Sequence, residues 1–263
     1  DLMDSMNAAG QRGMREVLAK MAAKNHLKAF SKLTQEIDGR RRIVDDPPVI
    51  MHVDDLLPDL QSRLMAVFSQ YRETLSADRQ ALFDNYRFVD FARKVVGVGS
   101  VGTRCWMALF QGPNGGPLFL QVKEAGPSAP GLALDRVLKM HHGQRVVEGQ
   151  RLLQATSDLM LGWATDPVTG IHYFVRQLWD SKGSFEVTSL SRAGFNLYAT
   201  YCGWALARAH ARTGDSVSVL GYIGTSERFG ESIADWAEAY ADQTVRDHAA
   251  LLAAIERGVL PTA

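Results

Sequence analysis

The stretch VVGVGSVGTRC, residues Val95 to Cys105, sets Gly97, Gly99 and Gly102 at G-x-G-x-x-G spacing. Glycine at such spacing lets a backbone turn tightly and bring its N–H groups close to an anionic ligand. Two unrelated nucleotide-binding designs use the pattern, and so do plain tight turns, so the flanking sequence decides among the three. A dinucleotide-binding βαβ unit needs a helix directly after the glycines, because the pyrophosphate rests on that helix's N-terminus. Here FVDFARKVVGV precedes the loop, while TRCWMALFQ, the turn GPNGG and PLFLQVK follow it. All three apolar runs read as strands, and the dinucleotide reading fails.

Strand, glycine loop, strand, turn and a strand ending in lysine is the order of a protein-kinase-like small lobe. In such a lobe the loop folds over ATP phosphates, a lysine neutralises their charge, and a glutamate on the next helix positions the lysine. The chain supplies Lys123 in LQVKEA and Glu148 in GQRVVEGQRLLQ, a helical segment with Val146, Val147 and Leu153 on an apolar face. DLMLGWAT, the turn DPVTG and IHYFVRQLWD then read as fourth and fifth strands running into a hinge at Gln177, Leu178 and Trp179. On this reading Gly97, Gly99, Ser100 and Gly102 touch phosphates, Lys123 binds them within ion-pair reach of Glu148, and the hinge backbone meets adenine. Two positions depart from the kinase pattern: Arg104 replaces the valine that lids the adenine, and Gln121 replaces an alanine. Both make the adenine slot more polar.

Phosphoryl transfer also needs an aspartate base, a metal-binding asparagine and a second metal-binding aspartate. HARTGD, His210 to Asp215, is the nearest match, but the asparagine expected five residues on is Leu220, and no asparagine follows Asn196. The simpler reading is that Gly214 ends a helix running from about Ala193 to Arg212, and that Asp215 starts a turn.

GVGSVGTRC, LQVKEA, GQRVVEGQRLLQ, YFVRQLWDSKGS, CGWALARAHARTGD and YADQTVRD together resemble the bacterial family known as domain of unknown function 2252. The likeness runs from the DGRRRIVDDPP segment almost to the C-terminus. The resemblance implies a place in the protein-kinase-like superfamily, near aminoglycoside phosphotransferases, with ATP and Mg as cofactors. Longer members of the family resemble those enzymes in a Gly-Asp-x-His-x-x-Asn segment followed by Asp-Phe-Asp, neither of which occurs in this chain. It therefore implies a permuted order, with catalytic and metal residues N-terminal to the glycine loop.

The rest of the sequence narrows the alternatives. Lys plus Arg and Asp plus Glu both total 29, so net charge is zero and no broad nucleic-acid footprint is expected. Arg40-Arg41-Arg42 sits beside Asp45-Asp46 as a locally balanced surface. No apolar run reaches the roughly 18 residues of a membrane span. Two cysteines, Cys105 and Cys202, are too few for a disulfide framework and read as small core residues of a cytoplasmic protein. The chain begins at Asp1 within polar helical sequence, which suggests a piece of something longer. His141-His142 lack companions at ligand spacing, so they read as a solvated turn and no metal site is assigned. Asp180 and Lys182 read either as ribose or substrate contacts or as a surface loop. Trp204, Leu206 and His210 read as core, and Tyr240, Asp242, Gln243 and Asp247 as a solvent-facing helix.

The expected fold is α+β and protein-kinase-like, with a five-stranded antiparallel sheet and one helix joined to a mostly helical lobe. Residues 1–86 form an N-terminal, mostly helical segment, 87–183 the small lobe, and 184–263 the helical lobe. The expected function is nucleotide binding within an ATP-dependent phosphotransferase. The rivals are a non-catalytic nucleotide-sensing module and a structural role in which the glycines only shape a hairpin.

Overall fold

The computed structural model describes residues 12, 26–52, 59–97, 102–178 and 187–259. Helix α1 (His26–Leu33) leads into the hairpin β1 (Thr34–Ile37) and β2 (Arg40–Ile43). Asp38 and Gly39 both have positive φ, 51° and 71°, as a two-residue turn of this hand requires. The short strand β3 (Ile50–Met51) follows, then α2 (Leu60–Glu73), α3 (Ala77–Phe83) and β4 (Arg87–Lys94). Next come β5 (Cys105–Gln111), β6 (Pro117–Glu124), α4 (Ala129–Ala133), α5 (His142–Leu153), β7 (Gly162–Thr165) and β8 (His172–Gln177).

Among the described residues these strands build an antiparallel six-stranded sheet in the order β3-β4-β5-β6-β8-β7. The sequence predicts five strands. The sixth is β3, which pairs Ile50 with Lys94 and Met51 with Arg93 at the sheet edge. The stretch IDGRRRIVDDPPVIMHV reads as two short extended segments around Pro47-Pro48, and β3 lies in the second, but nothing local shows that it joins the sheet.

Both faces of the sheet are covered. On one, α2 buries Leu64, Val67, Phe68 and Tyr71 against Ala108, Phe110, Leu118, Leu120, Val122 and Val175. The i, i+3, i+4, i+7 spacing makes that stripe. The Tyr71 hydroxyl donates to the Met160 carbonyl at 2.7 Å, which satisfies it in an apolar setting. On the other face, Phe30 and Leu33 pack on Met107, Leu109 and Phe119.

Contacts divide the chain into a first unit ending at Trp204 and a second beginning at Ala205. Helix α6 (Arg192–Thr213) crosses that division, and α7 (Ser216–Ile223) and α8 (Arg228–Glu256) belong to the second unit. The core reading of Trp204, Leu206 and His210 is corrected, since the first two are 50% and 60% exposed and His210 is exposed as well, and Cys202 is exposed too. The apolar residues of α6 spread around the helix instead of forming one stripe, so no single face could bury them. Tyr240 of α8 is exposed and stacks on Trp236 at 5.0 Å. No described helix is long and apolar enough to cross a membrane.

Candidate functional site

The glycine-rich segment connects β4 to β5, which pair antiparallel. Gly97 and Gly102 hold φ of 67° and 83°, a region side chains rarely enter, although added Cβ atoms there would meet nothing within 4 Å. The demand for glycine at these two positions is therefore conformational and not steric. Gly99 and Ser100 lie outside the described residues, as do Trp179, Asp180 and Lys182.

Lys123 sits near the end of β6, opposite Cys105 on one side and Phe174 on the other. Its Nζ lies 6.0 Å from the Phe174 ring centre. Directly opposed residues share a face and alternate residues return to it, so His172, Phe174 and Lys123 point the same way. The His172 ring stacks at 3.9 Å on His141, the N-cap of α5. Helix α5 and its Glu148 thus begin on the Lys123 side of the sheet. No ion pair joins the two side chains among the described residues. The Glu148 carboxylate instead accepts from Gln144 Nε2 at 2.7 Å.

The hinge residues are engaged within the fold. The Gln177 N–H donates to Asp158 Oδ2 at 2.6 Å, and the Leu178 N–H donates to the Phe119 carbonyl at 3.0 Å. Beneath them, buried Gln121 accepts from Arg176 Nε at 3.2 Å. The polar slot expected from Gln121 is accordingly a paired amide and guanidinium.

Helix α5 is set by two special residues. A Cβ on Gly143 would meet the Tyr173 carbonyl oxygen at 2.1 Å, so only glycine admits this close a backbone approach. His141 Nδ1 accepts from the Gln144 N–H at 3.1 Å, and its Nε2 meets Thr165 Oγ1 at 2.9 Å. The His142 N–H donates to His172 Nδ1 at 3.0 Å. Burial, then neighbouring histidines, hold the pKa of both His141 and His172 below the usual value. The reading of His141-His142 as a solvated turn is corrected: His172, thirty residues away, closes over them. Among the described residues no group of His, Cys, Asp and Glu could hold a metal ion.

Two polar clusters had no sequence signal. His52 reaches Asp45 Oδ1 at 2.9 Å and Asp90 Oδ2 at 3.0 Å, and Asp90 also accepts from the Ile43 N–H at 2.7 Å. The Asp90 hydrogen bond raises the His52 pKa against the opposing effect of burial, with Asp45 adding to it. On the face opposite Lys123, a cavity of about 60 Å³ is lined by Arg63, Arg104, Trp106, Asp166 and Tyr173 among others. Burial opposes ionisation of Asp166, but Arg63 and the N–H groups of Val168 and Thr169 outweigh it and hold its pKa at about 2. That cavity has room for a water or two, not for a nucleotide. Asp215 is the N-cap of α7, accepting from the Val217 and Ser218 N–H groups at 3.0 and 3.1 Å, so it opens a helix instead of a plain turn.

No curated protein and no solved structure matches the chain. A family does, over residues 2–254, which extends well upstream of the DGRRRIVDDPP segment where the resemblance was expected to start. That span takes in the glycine loop, Lys123, Glu148 and the helices beyond them, and the chain belongs to the bacterial family described as uncharacterized protein conserved in bacteria (DUF2252).

Proposed function

We propose that this chain carries the nucleotide-gripping part of an ATP-dependent phosphotransferase with a protein-kinase-like small lobe, using Mg-ATP as donor. One observation carries the reading. A segment with Gly97 and Gly102 in the left-handed region connects two antiparallel strands, a lysine stands on the third, and helix α5, with its glutamate, starts on the lysine's face. Gly97, Gly99, Ser100 and Gly102 would approach the phosphates and Lys123 would neutralise them. The base and metal ligands would come from a segment outside this sequence, because Asp215 caps a helix and no asparagine follows Asn196.

A second reading, a nucleotide-binding module without catalysis, is favoured by the lack of an ion pair between Lys123 and Glu148, which active kinases require. Calorimetric titration tests the shared premise. Lys123→Ala removes a charge-assisted contact to phosphate and should weaken Mg-ATP binding about tenfold to a hundredfold. Equal affinity in both proteins would leave the glycines as hairpin geometry alone.

A further inference from the structure

The Lys123 face of the sheet holds more positive charge than a single phosphate-binding lysine. Strand register places it. Arg93 pairs with Trp106, so Lys94 falls opposite Cys105, and Cys105 pairs in turn with Lys123. One row across the sheet therefore reads Lys94, Cys105, Lys123, Phe174. The adjacent row on the same face reads Met107, Gln121, Arg176, with Arg176 tied to Gln121. Lys94 ends β4 and Cys105 begins β5, the two strands that the glycine-rich segment connects. The buried Cys105 thiol feels all three cations: burial raises its pKa, and Lys123, Lys94 and Arg176 each work against that rise.

Among the described residues no carboxylate pairs with Lys94, Lys123 or Arg176. Asp46 acts on Lys94 only at longer range, and Glu148 is engaged by Gln144. Lys94 is half-buried, and its desolvation is unfavourable while it stays charged. Like charges gathered on a partly buried surface are stabilised by an anion that touches several of them. Lys94 and Lys123 stand two strands apart, about 10 Å, which suits a chain of phosphates better than one.

We infer that Lys94 and Arg176 join Lys123 in a polyphosphate-binding floor, which takes the phosphate chain of a nucleotide or of an inorganic polyphosphate. The inference deepens the nucleotide reading above and rests on it for the role of Lys123. It is tested by calorimetry on the 263-residue chain with Mg-ATP, inorganic tripolyphosphate and inorganic phosphate as probes. Lys94→Gln and Arg176→Gln should each weaken tripolyphosphate binding about tenfold. Lys94→Arg, which keeps the charge, should restore it, and inorganic phosphate should bind far more weakly than tripolyphosphate. Lys94→Gln and Arg176→Gln binding like the parent, while Lys123→Ala loses affinity, would overturn the floor and leave the nucleotide reading standing. Lys94-dependent tripolyphosphate binding with no Mg-ATP binding would keep the floor, assign it to inorganic polyphosphate, and overturn the nucleotide reading. Binding of neither polyphosphate probe would overturn both.

Discussion

Acid should loosen helix α5 through its own cap. His141 and His172 both use Nδ1 as an acceptor, for the N–H groups of Gln144 and His142, so each neutral ring carries its proton on Nε2. Protonation places a second donor against each backbone N–H and charges two rings stacked 3.9 Å apart. Both hydrogen bonds are then lost, at about 1 kcal/mol each. For a folded unit of this size the resulting deficit of about 2 kcal/mol lowers Tm by roughly 6 °C. The direction follows from linkage. Both pKa values are depressed in the fold, so the stabilisation is complete above the unfolded value of about 6.5 and is lost as pH falls through the folded values. His52 works in the opposite sense, since its raised pKa stabilises at low pH and that contribution fades as pH rises through the folded value. The comparison that isolates the pair is the doubly substituted His141→Asn, His172→Asn protein. Asparagine Oδ1 sits where Nδ1 did and accepts the same bonds, but it does not titrate. Thermal melts followed by circular dichroism at about pH 7.5 and about pH 5 should show the parent losing roughly 6 °C more than the variant. An equal acid loss in the two proteins would refute the argument.

Two further outcomes follow from the same geometry. Gly143→Ala drives a Cβ into the Tyr173 carbonyl, so it should cost about 3 kcal/mol in denaturant unfolding and weaken Mg-ATP binding by shifting α5. Asp215→Ala should cost about 1 kcal/mol, the value of an N-cap, and leave Mg-ATP affinity unchanged. If phosphoryl transfer were lost equally in Asp215→Asn, which keeps the cap, Asp215 would be a catalytic residue.

What the sequence made legible is what local pattern controls. The strands on either side of GPNGG and the GQRVVEGQRLLQ helix each carry their signal within a dozen residues. What stayed hidden depends on partners far along the chain. β3 lies in sequence that reads as extended, but the Lys94 and Arg93 edge it joins comes more than forty residues later. The histidine pair looks solvated until the β7–β8 hairpin returns His172 to it. The exposure of Trp204 and Leu206 reflects an α6 with no single apolar stripe to bury.

The candidate site divides along the same line. Gly97, Gly102 and Lys123 were readable because a backbone conformation and a strand position can be inferred from spacing. Lys94 and Arg176 were not, because their place beside Lys123 is a matter of register across four strands, and a shift of one residue would turn each to the opposite face. Glu148 lies between the two cases. Its helix was legible and starts on the expected side, yet its carboxylate is taken by Gln144, one turn earlier on the same helix. An i, i+4 contact costs little chain entropy, whereas the pair with Lys123 joins residues far apart in the chain. A polyphosphate bound on the floor would hold the Lys123 ammonium in a fixed place, giving Glu148 a charged partner to set against Gln144. The same three cations that would grip the ligand would therefore also decide whether the lysine–glutamate pair forms.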